Sequence, residues 1–450
     1  MTRTGVVWLR DDLRIADNPA LHAMLERDDI RVVVLYVLDE ESRGVRPLGS
    51  ASRWWLHHSL TALDDALRAL GASLTLRRGP AEQVLAEVVD EVGAEAVHWN
   101  RRYGASRDID ASIKKNLKSQ GVDAQSFHAN LLFEPGTVLT GDGGPYRVFT
   151  PFWKACQGLT VRDPLPAPEV IPGTDAAGDD LDDWALLPTA PDWAGGLRET
   201  WTPGEQGAHD RLETFVDEQL EDYHRRDEPA VEATSRLSPH LRFGEISPFQ
   251  IRHRALGDVP AAAHKNVDKF LSEIGWREFN WSILFHNTQL AHRNYRPEFD
   301  AFPWDEPAPA ELQAWQQGRT GIPLVDAGMR ELWHTGYMHN RVRMVTASFL
   351  VKNLLVDWRI GERWFWDTLV DADDANNPSN WQWVAGSGAD AAPYFRVFNP
   401  ELQASRFDKR QEYIARWVPE VGTGEYPEAI VDLKESRQAA LDAYQAMRRG

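Results

Sequence analysis

Four short segments of the 450-residue chain carry side chains whose types and spacing suit chemistry. Thr234-Ser235-Arg236-Leu237-Ser238-Pro239 places three hydroxyls and a guanidinium ahead of a proline. Hydroxyls and backbone N–H groups at the start of a helix suit a phosphate or pyrophosphate. The same hexapeptide also reads as an ordinary N-cap beside a surface arginine. Glu273 and Trp276 lie three apart, on one helix face. A carboxylate there can hydrogen-bond a base while the indole stacks on it, or the pair is a helical salt bridge and a buried tryptophan. Gly336 to Met344 packs Asn340, Arg341 and Arg343 near the start of an apolar helix. That is either a phosphate-facing patch or a solvated helix end. Asp371 to Trp383 holds too many caps and breakers for a regular element. Buried, such a loop needs a polar partner, for which a cofactor would serve; exposed, it is an acidic loop.

The elements that position these segments fall into two halves. In the first, Gly5–Leu9, Ile30–Leu38, Ser73–Leu76, Ala94–Trp99 and Val122–Phe127 read as strands. Helices alternate with them: one after Asp17, which can cap it, then Ser50–Leu70, Pro80–Val92 and Ser106–Ser119. This alternation predicts a five-stranded parallel, Rossmann-like sheet over 1–130. Residues 131–203, rich in Pro, Gly and Asp, read as an interdomain linker. From 204 to 450 the patterns are helical, with runs at 207–223, 261–287, 324–336, 340–357 and 427–447. The fold class is an α/β N-terminal domain followed by an all-α C-terminal domain.

Composition narrows the function. A single cysteine, Cys156, excludes a disulfide framework and Cys-based metal centres. Met1 to Arg14 runs into charged sequence with no signal-peptide core, so a cytoplasmic address is expected. No apolar run reaches membrane-spanning length. The first strand runs into Arg10-Asp11-Asp12, not G-x-G-x-x-G, and no P-loop follows. Any cofactor therefore belongs in the helical half. That half holds ten of the 19 tryptophans between Trp276 and Trp383. A net charge of -19 argues against nucleic acid unless a basic patch is set apart on the surface.

Taken together, the segments resemble the cryptochrome/photolyase family, and within it the class I cyclobutane pyrimidine dimer photolyases. The resemblance runs through WLRDDLRIADNPAL (8–21), TSRLSPHLRFGEIS (234–247), WREFNW (276–281), GIPLVDAGMREL (321–332), MHNRVRMVTASFLVKNLL (338–355), DWRIGERWF (357–365) and WQWVAGSGADAAPYFRVFNP (381–400). It implies an antenna domain and a helical domain holding a U-shaped FAD. Thr234, Ser235, Arg236, Leu237 and Ser238 would hold its phosphates. Tyr223 would line the adenine side, and Asp371 and Asp373 the flavin and ribose, with Arg343 paired to Asp371; Phe270 and Ala372 would also contact the cofactor. Asn377 falls where an amide faces flavin N5 and can donate or accept; plant cryptochromes carry Asp there. Glu273 would hydrogen-bond the lesion between Trp276 and Trp383, with Met344 beside them. Arg226, Asn340, Arg341 and Gln403 match DNA contacts, and Trp381, Trp358 and Trp304 an electron-transfer triad. Pro378-Ser379-Asn380 stands where many relatives have Asn-Gly-Gly.

The implied activity is that of a deoxyribodipyrimidine photo-lyase. Excited FADH⁻ passes an electron to a flipped-out dimer in UV-damaged DNA, the ring splits, and the electron returns. No metal and no obligate protein partner are expected, and lesion access favours a monomer. Asn100 to Asp108 lacks the folate-binding Asn-Glu pair, so 8-hydroxy-5-deazaflavin is expected over folate as antenna. A basic rim from Arg226, Arg236, Arg341 and Arg343 is expected around the flavin opening. The alternatives are a blue-light receptor, a (6-4) photolyase and a non-catalytic flavoprotein.

Overall fold

Two apolar runs rich in Val and Ile and three shorter, more mixed runs, spaced by helices, suit a parallel sheet covered on both faces. In the computed structural model they form β1 (Arg3–Leu9), β2 (Ile30–Leu38), β3 (Leu74–Arg78), β4 (Ala94–Asn100) and β5 (Asp123–Phe127). The order is β3-β2-β1-β4-β5 and every pairing is parallel. The structure describes residues 3–257, 259–260, 263–391 and 395–449. Ala261, where the long helix is expected to start, lies outside them.

Helices α1 (Pro19–Leu25), α2 (Ser50–Ala69), α3 (Ala81–Val92) and α4 (Ser106–Ser119) connect the strands. Gly93, at φ 60°, closes α3 in the left-handed conformation that glycine adopts without strain. The cap of α1 is not Asp17. Asn18 accepts from the N–H of Leu21, and Asp17 sits at φ 49°. The Asp17 carboxylate instead takes bonds from Ser247 and from the N–H of Leu165, tying the sheet to the helical half.

Helix α5 (Phe149–Gln157) lies inside the stretch read as linker. Its Phe152 and Cys156 pack with Phe279 and Ile283 of the helical half. Trp184, Leu186, Leu197 and Trp201 pack on the sheet side with Trp54 and Trp55. Residues 131–203 are thus anchored at both ends rather than a free tether.

The helical half comprises α6 (Gly195–Thr200), α7 (Glu205–Thr214), α8 (Ser238–Phe243), α9 (Pro248–Ala255), α10 (His264–His286), α11 (Pro309–Gln316), α12 (Pro323–Thr335), α13 (Asn340–Ser348), α14 (Trp358–Thr368), α15 (Asn376–Ala385), α16 (Pro400–Phe407), α17 (Glu412–Trp417) and α18 (Leu433–Arg449). The run read as one helix over 207–223 breaks at Thr214 into a π turn, Phe215–Gln219, and a 3₁₀ turn, Leu220–Arg225. The run over 340–357 breaks likewise, into α13 and a π turn at Phe349–Asn353. Helical periodicity persists through both turns, so the pattern hides the change in winding.

The largest correction concerns residues 371–383, read as irregular. Helix α15 begins there at Asn376. Asp373 accepts from the N–H groups of Ala375 and Asn376 and from Asn376 Nδ2, at 2.8, 2.5 and 2.7 Å, satisfying the exposed donors of the first turn. Pro378 falls within that turn, where a missing N–H removes no intrahelical bond.

Candidate functional site

Helices α8, α10, α13, α14 and α15 surround a cavity of about 560 Å³, the size of a cofactor site. Tyr223, Arg226, Thr234, Ser235, Arg236, Leu237, Ser238, Phe270, Glu273, Trp276, Asn340, Arg341, Arg343, Met344, Asp371, Ala372, Asp373, Asn377, Trp381 and Trp383 all line it. Of the residues singled out from sequence, only Trp304, Trp358 and Gln403 stand off it.

One wall is built for an anion. Arg211 holds the backbone of this loop by donating to the carbonyls of Ser235 and Thr234, at 2.8 and 3.2 Å. Arg236 is held at φ 50°, in the left-handed region that a residue with a Cβ seldom adopts. Behind it, Arg343 grips Asp371 with two hydrogen bonds of 3.1 and 2.8 Å, and Ser238 Oγ donates to Asp371 at 2.7 Å. Two parallel N–H bonds fix a carboxylate in direction as well as position.

The floor holds Asn377. Its Nδ2 donates to the Glu362 backbone carbonyl at 3.0 Å and to Glu362 Oε1 at 2.8 Å. Both partners can only accept, so the assignment of the amide is forced. Asn377 Oδ1 receives no hydrogen bond from any described residue and is the polar atom left for the cavity. The unpaired Asn377 Oδ1 points to a polar ligand in the space. An FAD fits this lining: cations and hydroxyls at one wall, an unpaired amide oxygen at the floor, Phe270 and Tyr223 at the side.

The mouth presents Glu273, Trp276 and Trp383. Phe149 of α5 stacks on one face of Trp276, with centroids 3.9 Å apart and planes 10° apart. Trp383 Nε1 donates to the Asp390 carbonyl at 3.2 Å. Both rings are thereby held edge and face. Glu273 pairs with Lys269 at 2.6 Å and lies 3.9 Å from Arg226. Arg341 pairs with Asp227 at 2.9 Å. The rim is therefore less basic than the sequence suggests, because of the four arginines expected there only Arg236 has no ion-pair partner among the described residues.

Trp381 lies against Phe365, 4.9 Å between centroids, and edge-on to Trp315 at 6.3 Å. Trp358 is fully buried and donates to Asn294 Oδ1 at 2.9 Å. Trp304 is half-buried against Phe302 at 4.3 Å. Gln403 sits on α16, whose Phe407 lies under the Arg341 guanidinium at 4.4 Å.

Several lining residues were missed. Asn280 donates to Asn376 Oδ1 at 2.8 Å, and Arg242 bridges the Ala372 carbonyl and Asp11 Oδ1, both at 2.8 Å. Arg242 lies inside the 234–247 block, so its signal was present. Nothing in the sequence links Glu362 to Asn377.

A second, smaller crevice of about 30 Å³ lies where the sheet meets the helical half, lined by Asp11, Arg102 and Tyr103 on one side and by Leu241, Arg242 and Trp281 on the other. Beside the sheet, Arg10 and Arg102 both pair with Asp110, at 3.2 and 3.1 Å.

Comparison with known proteins agrees with the geometry. A model of the FAD binding domain of DNA photolyase matches residues 270–424, and a DNA photolyase model matches residues 5–169. The deoxyribodipyrimidine photo-lyase of Agrobacterium fabrum is 46% identical over 100% of this chain and 99% of its own length. The chain belongs to the photolyase/cryptochrome family. Cryptochrome-1 of Arabidopsis thaliana is 37% identical, over 93% of this chain and 63% of its own. A solved bacterial class III photolyase from Agrobacterium tumefaciens superposes with a TM-score of 0.95 at 44% identity, covering 100% of this chain and 98% of that one. Among the described residues, this photolyase-family chain has no helix long and apolar enough to cross a membrane.

Proposed function

We propose that the chain repairs UV-damaged DNA, splitting cyclobutane pyrimidine dimers in light with FAD in the cavity of about 560 Å³. The observation that carries this reading is the convergence of an anion-gripping wall, an acceptor amide at the floor and two backed aromatic rings at the mouth on one cavity. The class I expectation gives way to class III, which the full-length likeness to a class III photolyase favours.

Bound FAD would supply the light-driven electron transfer. The chain's residues do the rest. Thr234 to Ser238 and Arg236 hold its phosphates; Tyr223, Phe270, Arg343, Asp371, Ala372 and Asp373 hold and orient its other parts. A dimer within a duplex must leave the stack to reach the cavity, at a cost of a few kcal/mol. Stacking on an aromatic returns roughly 1–3 kcal/mol per base, so Trp276 and Trp383 together offset that cost. Met344 fills the apolar side, and Glu273, held by Lys269, presents a carboxylate to the lesion's hydrogen-bonding edge. Arg226, Asn340, Arg341 and Gln403 contact phosphates, which fixes register without reading sequence. Trp381, Trp358 and Trp304 connect cavity to surface for recharging. A monomer suffices for all of this.

The test is recovery of base absorbance when the reduced protein, loaded with FAD, is mixed with ultraviolet-irradiated oligo(dT) under blue light. Recovery in light and none in the dark is expected. No recovery from fully loaded protein would overturn repair in favour of the blue-light receptor alternative.

A further inference from the structure

Asn377 is oriented by Glu362, and Glu362 is itself held from the other half of the molecule. Arg46, in the loop between β2 and α2, donates NH1 to Glu362 Oε1 at 2.6 Å and NH2 to Oε2 at 2.9 Å. The Glu362 side chain is 2% exposed, and among the described residues Arg46 is its only ion-pair partner. The Arg46 guanidinium also lies 3.8 Å over the ring of Trp366, whose Nε1 donates to the Pro47 carbonyl at 2.9 Å. A planar cation is thus clamped between an aromatic face and a buried carboxylate.

We propose that Arg46 is a positioning residue which, through Glu362, keeps the Asn377 amide turned with Oδ1 to the cavity, and so makes the reduced flavin depend on a contact from the α/β domain. The inference rests on the FAD reading above. A carboxylate oxygen can only accept, so Asn377 gives Glu362 its Nδ2. Without Arg46 the carboxylate loses its two-point anchor and no longer holds Oε1 against the amide, leaving the Glu362 carbonyl as the one fixed acceptor for Nδ2. The amide then turns Nδ2 toward the cavity more readily. An oxygen at flavin N5 accepts from the N–H that only the reduced ring carries there. An amide N–H in its place favours the oxidised ring.

The experiment compares FAD-loaded wild type, Arg46→Met, Arg46→Lys and a control, Ser50→Ala. Ser50 Oγ donates to Asp367 Oδ1 at 2.8 Å across the same seam but does not touch Glu362. The readout is the ratio of reduced to oxidised flavin at a fixed poise in spectroelectrochemistry. Arg46→Met should lower it about tenfold, the worth of one net hydrogen bond. Arg46→Lys, which restores charge without the two-point grip, should fall between, and it carries the test if Arg46→Met does not fold. Ser50→Ala should match wild type. An unchanged ratio in the Arg46 variants with FAD retained, or an equal shift in Ser50→Ala, overturns the proposal. Wild type that takes up no FAD overturns the flavin reading itself, and this inference with it.

Discussion

Glu278 shows how a single side chain on the site's main helix stores a pH dependence. It lies on the face of α10 turned from the cavity and is 2% exposed. Its Oε2 accepts from the N–H of Phe133 at 3.1 Å, while Oε1 finds no hydrogen bond. Burial pushes its carboxyl up to about 7, against the pull of Arg277 at 3.6 Å. In the unfolded chain the group would release its proton near the ordinary glutamate value of 4.5. Between those values the unfolded chain loses a proton that the folded one keeps, so stability falls as pH rises through that window. The loss amounts to roughly 3 kcal/mol once both are passed. Glu278→Gln should therefore melt higher than wild type at about pH 8 and show no such advantage at about pH 5. Thermal melts at the two pH values check it, and an equal difference at both refutes it. Other residues at this scale were legible because short motifs carry them: Thr234 to Ser238, Asp371 and Asn377 stand in contiguous blocks, and all of them line the cavity. Glu362 and Arg46 were not, since 316 residues separate them and only the fold brings them within 2.6 Å.

Between elements, close approach decides more than propensity. Gly361 of α14 faces Trp381 of α15, and a Cβ there would meet the ring at 2.2 Å and Leu350 at 2.6 Å. The indole cannot retreat, because Phe365 and Trp315 lie against it. Gly361→Ala gains about 1 kcal/mol in helix propensity but overpacks a closed core, which costs typically 1–3 kcal/mol. Net destabilisation is expected, together with slower light-driven recharging of the cofactor because the ring is displaced. Melting temperature and the photoreduction rate measure both, and a variant more stable than wild type would contradict the packing argument. The same scale explains the misread segment over 371–383. Caps and a first-turn proline suit a helix start, and Asp373 satisfies the first-turn donors and lets Asn376 to Ala385 wind. A cap two residues ahead of the conventional position is invisible to pattern.

For the molecule as a whole, the question is how a chain of net charge -19 approaches a polyanion. The mouth sets Arg226, Arg236, Lys269 and Arg341 against Asp227 and Glu273. Phosphates that displace these carboxylates release counterions, so binding of dimer-containing DNA should weaken steeply with salt. Arg341→Ala should reduce the slope of log affinity against log salt by about 1 without changing preference for flanking sequence. Fluorescence anisotropy across a salt series measures it. A flat dependence in wild type would remove the phosphate role from the rim.

The sequence alone determined the two-part architecture, because strand and helix periods are local and composition reports burial directly. It also picked out the residues that line the wall and mouth of the cavity, which lie in contiguous blocks. Tertiary structure alone decided which way the Asn377 amide points, that the rim arginines are already paired, and that residues 131–203 pack as part of both cores. Each of these depends on atoms far apart in the chain meeting within hydrogen-bond or van der Waals distance. No local pattern encodes such a meeting, whose geometry is set by how the sheet and the helical half dock.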